Sequence, residues 1–165
     1  MAKKEQYRLQ TLLGLREQAK NEAERHLGEC LALLKKEKER LTDMEQELEK
    51  MIAKRQARMR DYSEKQMRGE MSAQSVISAN SYIERLKEQE EAQKEAIEGQ
   101  KEVVAAREED VRDAREKLTV ATQDLKALEK HKEKWEKKIK REKQLKEEEA
   151  LDELAQTIYL NKERE

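Results

Sequence analysis

The chain has 165 residues, of which 45% are charged, 35% hydrophobic and 3% aromatic, with no Phe, no Pro and four Gly. Lys and Arg number 37 against 38 Asp and Glu, for a formal net charge of −1. This is little apolar bulk for a globular core and few breakers to turn a chain back on itself. It argues against an α/β enzyme, a β-sandwich, a disulfide scaffold and a membrane span, and it supplies no global field for nucleic acid or an anionic membrane.

The N-terminal apolar stretch runs only from Leu12 to Leu15 and contains Gly14, too short for a signal-peptide core. A first helix is expected over about 6–68. One heptad position holds Leu13, Lys20, Leu27, Leu34, Leu41, Leu48, Arg55 and Tyr62; its companion holds Leu9, Arg16, Ala23, Cys30, Glu37, Met44, Met51 and Arg58. A repeat of seven makes a left-handed coiled-coil seam. Cys30, the lone cysteine, falls on that seam and reads as a small buried residue in a reducing cytoplasm.

A turn is expected at 69–72. Gly69 can end a helix in the left-handed conformation. Ser72 is a good N-cap, and Met71 with Val76 could staple the next helix. The other glycines, Gly14, Gly28 and Gly99, fall off the seam and read as tolerated helix residues.

The second helix is expected over about 73–160. One position holds Val76, Ile83, Glu90, Ile97, Val104, Val111, Leu118, Leu125, Lys132 and Ile139, eight of ten apolar. Its companion holds Ala79, Leu86, Gln93, Gln100, Arg107, Ala114, Ala121, Leu128, Trp135 and Glu142. The predicted fold is all-α, an antiparallel coiled-coil hairpin with the second helix longer. It would set Tyr62 opposite Ala79, Leu27 opposite Ala114, Ala23 opposite Leu118 and Leu13 opposite Leu128. Arg58 would face Ile83 with Glu90 one layer away, and the polar seam residues would weaken the middle. The competing arrangement is a continuous parallel dimer.

The second arm outlasts the first, leaving about 141–165 unpaired. Lys130 to Lys146 carries nine basic and three acidic residues, then Glu147, Glu148 and Glu149 follow. Leu151, Leu154, Ala155, Ile158 and Tyr159 form an apolar stripe without an intramolecular partner, which reads as a docking surface. Trp135 is a core residue or faces a partner near the open end.

No catalytic, cofactor or metal set stands out. His26 and His131 lie on different arms, both are read as far from Cys30 along the chain, and neither is expected to make a metal set with it. Carboxylates stand beside Lys and Arg at helical spacing and read as surface pairs. The region before Leu27, Leu34, Leu41 and Leu48 mixes charges too evenly for a DNA-contacting basic helix.

Two stretches carry a resemblance. Met71-Ser72-Ala73 through Ser81-Tyr82-Ile83-Glu84-Arg85-Leu86 opens the second helix with an aromatic-Ile-x-x-Leu segment. His131-Lys132-Glu133-Lys134-Trp135, a Lys/Glu-rich run and Asp152-Glu153-Leu154 follow near the end. The chain resembles the YscO family of type III secretion stalk proteins and their flagellar FliJ-family relatives. The resemblance implies a monomeric, cytoplasmic central stalk at the cytoplasmic face of the apparatus. Its termini would sit in the pore of a hexameric secretion ATPase and its tip would point to the cytoplasmic domain of the export-gate membrane protein, with some members binding empty secretion chaperones. It implies Tyr82 and Leu86 as gate contacts. It implies an ATPase contact at Leu9, Leu12, Leu13 and Arg16 on one arm, and at Trp135, Lys138, Arg141, Leu151, Leu154, Ile158 and Tyr159 on the other. Such a stalk is not an enzyme, takes no cofactor, binds no nucleic acid and inserts in no membrane. The competing readings are a structural scaffold that homodimerises without an ATPase partner and a holdase that grips clients between helices.

Overall fold

The computed structural model describes residues 6–164; Glu165, the last residue of the expected extension, and Met1 to Glu5 lie outside the described residues. Two helices form the hairpin, α1 over Gln10–Met67 and α2 over Ala73–Lys162, with 58 and 90 residues. Contacts divide the chain into two units. One takes the start of the chain to Arg25 and the stretch from Glu116 onward; the other is His26–Arg115.

The turn belongs to the second unit and is built by local chemistry. Gly69 has φ 70°. The Gly69 amide donates to the Gln66 carbonyl at 3.1 Å, and the Glu70 amide donates to the Lys65 carbonyl at 3.0 Å. This crossed pair is the Schellman closure, and it satisfies carbonyls that the end of α1 would leave open. Ser72 then caps α2: its Oγ accepts the Ser75 amide at 3.1 Å, and its carbonyl accepts the Val76 amide at 3.0 Å. Met71 and Val76, on either side of the cap, are half-buried.

Gly69→Ala forces a Cβ into the left-handed region and is expected to cost about 1 kcal/mol. Gly99→Ala has the opposite sign. A Cβ there meets nothing within 4 Å, so the better helix former should stabilise by about 0.5–1 kcal/mol. Thermal unfolding followed by circular dichroism measures both.

Every residue of the cleaner heptad position on α2, from Val76 to Ile139, is buried or half-buried, and so is its companion set up to Trp135. In the unit His26–Arg115 a buried apolar cluster joins Cys30, Val111 and Ala114, with Leu27 and Leu34 against them. Ala114 is 1% exposed. A small residue beneath large ones lets the two helices approach closely. Leu27 and Ala114 thus meet in one cluster, as the register predicts.

The polar middle of the seam differs from expectation. Arg58, expected in the seam opposite Ile83, is exposed. Glu90 Oε1 accepts from Arg55 Nε at 2.7 Å, with side-chain exposures of 6% and 20%. Gln93 donates to the Met44 carbonyl at 3.0 Å. Gln100 donates to the Glu37 carbonyl at 3.1 Å and to Glu37 Oε2 at 2.5 Å. The two glutamines and the two carbonyls are each one heptad apart. Among the described residues no buried side-chain polar atom lacks a partner. These layers lack apolar bulk, yet their buried groups are paired, so they fix register without the penalty of a bare buried dipole.

The outer face of α2 repeats Glu-x-x-Lys each heptad: Glu84–Lys87, Glu91–Lys94 and Glu98–Lys101. The hydrogen bond that Lys101 donates to Glu98, and the charge of that carboxylate, raise the pKa of the Lys101 ammonium above its ordinary value. These exposed pairs are screened by solvent, add little stability each and keep the surface solvated. Among the described residues, no helix is long and apolar enough to cross a membrane.

In the other unit α1 begins at Gln10 rather than near residue 6. Gln10 N donates to the Tyr7 carbonyl at 3.0 Å and Leu13 N to the Leu9 carbonyl at 2.8 Å. The chain before Gln10 turns so that Tyr7, only 6% exposed, packs onto α2. No acidic residue stands in the first turn to favour an earlier start. α2 continues past this contact, and every described residue from 140 to 164 is exposed.

Candidate docking surfaces

At the start of the chain the apolar residues have split roles. Tyr7 lies against Trp135 (ring centroids 5.2 Å apart, planes at 51°) and against His131 (5.8 Å, 45°). Its hydroxyl hydrogen-bonds His131 Nδ1. Trp135 is therefore half-buried by a residue the heptads do not include. Leu13 is buried in the seam, while Leu9 and Leu12 lie at the border of exposure and Leu15 is open. Arg16 reaches across to Asp124 at 3.2 Å. Of the four residues expected on this arm, Leu13 is committed to the hairpin, Arg16 is engaged with Asp124 while half-exposed, and Leu9 and Leu12 are partly open. Tyr7→Ala should move Trp135 emission to longer wavelength with little loss of helix signal. Trp135 is the single Trp of the chain, so fluorescence reports this one place.

The extension carries an unpartnered apolar surface. Leu151, Leu154, Ile158 and Tyr159 are exposed, together with Leu145 and Leu160, which the sequence reading did not single out. Lys138 and Arg141 are exposed beside them. The seam positions beyond Ile139 are Glu142, Lys146, Glu149, Glu153, Gln156, Leu160 and Glu163, polar in every case but Leu160. The apolar stripe thus leaves the seam and occupies a different face of α2. A longer α1 continuing the seam would therefore leave Leu151, Leu154 and Ile158 uncovered. The described part, residues 140 to 162, spans about 35 Å as helix.

At the turn, Tyr82 is half-buried and the Arg85 guanidinium lies over its ring, 5.8 Å from the centroid. Leu86, expected beside it as a surface contact, is 7% exposed. Its heptad position turns it into the seam, so Leu86 presents no surface. The exposed apolar residues here are Met67 and Ile77.

His26 and Cys30 are four residues apart on α1 and meet, Nε2 to Sγ, at 3.7 Å, where the sequence reading held them separate. One helical turn brings such residues onto one face. Among the described residues no cluster of three or more His, Cys, Asp or Glu is placed to hold a metal ion.

Three comparisons bear on this arrangement. The family model for YscO-like proteins matches residues 4–165. No curated protein matches the sequence. A solved structure from Chlamydia trachomatis, described as that of a YscO homolog, is 24% identical with a TM-score of 0.82. The alignment covers 98% of this chain and 99% of that one, so the two share the long-armed hairpin fold. With the family match spanning nearly the whole sequence, the chain belongs to the YscO-like family.

Proposed function

We propose that this protein is the central stalk of a type III protein-secretion apparatus, working in the cytoplasm at the cytoplasmic face of the machine. Membership of the YscO-like family supports a stalk-like secretion role. The observation that carries the finer reading is the continuation of α2 as an exposed helix from 140 onward, basic first and then apolar on a face outside the seam.

In this reading the open end enters the pore of the hexameric secretion ATPase. Lys138 and Arg141 meet acidic ring loops through screened contacts, which suit a part that must re-dock. Leu151, Leu154, Ile158 and Tyr159 supply the apolar contact, with Leu9, Leu12 and Arg16 beside the aromatic anchor of Tyr7 and Trp135. The turn meets the cytoplasmic domain of the export gate through Tyr82, with Leu86 turned into the seam. Escort of empty secretion chaperones belongs to the same role. The hairpin does no chemistry of its own; it carries the state of the ring to the gate. The scaffold alternative needs the seam free for a second chain, whereas Leu13, Leu86, Ile97, Val104 and Val111 are buried within one.

Binding assays on the purified full chain test this. The chain should bind its cognate ATPase. Leu151→Asp combined with Tyr159→Asp should abolish that binding while the gate domain still binds. Tyr82→Ala should weaken gate binding and leave the ATPase contact intact. A chain that binds neither partner contradicts the stalk reading.

A further inference from the structure

The apolar face of the extension has a property that its composition alone does not show. Glu147, Leu151, Leu154, Ile158 and Lys162 recur at spacings of four, three, four and four. On an α-helix those five positions fall within an arc of about 80°. All five are helical and exposed. Read from either end, the row is charge, leucine or isoleucine, leucine, isoleucine or leucine, opposite charge. Laid antiparallel on a second copy of itself, Leu154 meets Leu154 of the other chain at the two-fold axis. Leu151 then meets Ile158, and Glu147 meets Lys162, each contact occurring twice. Laid parallel, the same row would set Glu147 on Glu147 and Lys162 on Lys162, so the charges reject that orientation. Nothing within the unit covers this face, and the seam positions alongside it are polar but for Leu160.

We propose that two copies of this chain associate through residues 147–162, as a two-fold antiparallel helix pair. The occupant is a second copy because the face is complementary to itself in both its apolar and its charged positions. Four and a half turns of helix bury less than the roughly 1,200–2,000 Å² of a standard stable interface, so the pair is weak and reversible. It leaves the hairpin seam of each copy intact, unlike a scaffold that dimerises through the seam. It also withholds the stripe from any other protein, so the paired chain is a resting form and docking of a partner on the stripe dissociates it. This inference stands on the row of five residues and does not require the stalk reading.

Sedimentation equilibrium of the full chain over a concentration series, without any partner, tests it. The expected result is a monomer–dimer equilibrium. Leu154→Lys removes the central apolar contact and sets like charges on the axis; it should raise the dissociation constant more than about tenfold. Glu147→Lys alone and Lys162→Glu alone should each weaken the dimer. The two together exchange the charges and should restore it, a recovery that unspecific association would not show. All these positions are exposed, and an unchanged helix signal verifies the fold. A chain that stays monomeric into the millimolar range overturns the inference, as does a dimer indifferent to these substitutions. A monomer that still binds the ATPase overturns this inference and leaves the stalk reading standing. A dimer that ignores the ATPase does the reverse.

Discussion

Arg55→Ala should destabilise the hairpin by about 3 kcal/mol, the low end of the cost of breaking a buried ion pair. The loss is large because of what stays behind. Glu90 is 4% exposed and would keep a carboxylate in the seam without the guanidinium that donates to it at 2.7 Å. Water can reach it only partly, from the side where Arg55 is 20% exposed, which holds the figure below the extreme. Glu90→Gln keeps a hydrogen-bond acceptor and removes the charge, so it should cost only about 1 kcal/mol. Replacing both residues with leucine should be neutral or stabilising, because the seam then gains an apolar layer and strands no charge. Urea titrations of the four proteins check the series. A single-residue loss below 1 kcal/mol would mean the pair behaves as a surface one.

Ala114→Leu should destabilise by about 1–3 kcal/mol through overpacking. Ala114 is the most enclosed residue, at 1% exposure, and Leu27, Cys30, Leu34 and Val111 already fill the space around it. A leucine there must push the helices apart or leave its rotamer well. Leu27→Ala on the same background returns volume to the layer and should recover part of the loss, since the total apolar bulk is then conserved. Leu27→Ala alone should also destabilise, by leaving a gap. Recovery in the double variant, read from chemical unfolding midpoints, would verify that these two positions share one layer.

The heptads made the fold legible because they state which residues face inward. Period alone found all ten positions from Val76 to Ile139, and the three local signals at Gly69, Met71 and Ser72 located the turn. Period does not state the axial stagger of one helix against the other. A few ångströms decide which side chain of α1 reaches Glu90, and long side chains blur the layers further. The same limit hid the glutamines: Gln93 and Gln100 look like gaps in an apolar row until a backbone carbonyl is placed opposite them. Tyr7 escaped because it precedes the helix and belongs to no heptad. His26 and Cys30 needed only the helical spacing of four to be paired.

The candidate surfaces were legible in part for the same reason. An apolar stripe beyond the end of the partner arm is visible in sequence, so Leu151, Leu154, Ile158 and Tyr159 were found. Leu13 and Leu86 were expected at surfaces from resemblance. Both sit on heptad positions, and the seam takes such residues inward.

The most direct test of the stalk account is the turnover of the cognate secretion ATPase, titrated with the dilute full chain. The account predicts that turnover and hexamer formation both rise and saturate at a single chain per ring, and that the chain carrying Leu151→Asp and Tyr159→Asp has no effect. An ATPase whose turnover and assembly are unchanged at every ratio would contradict it.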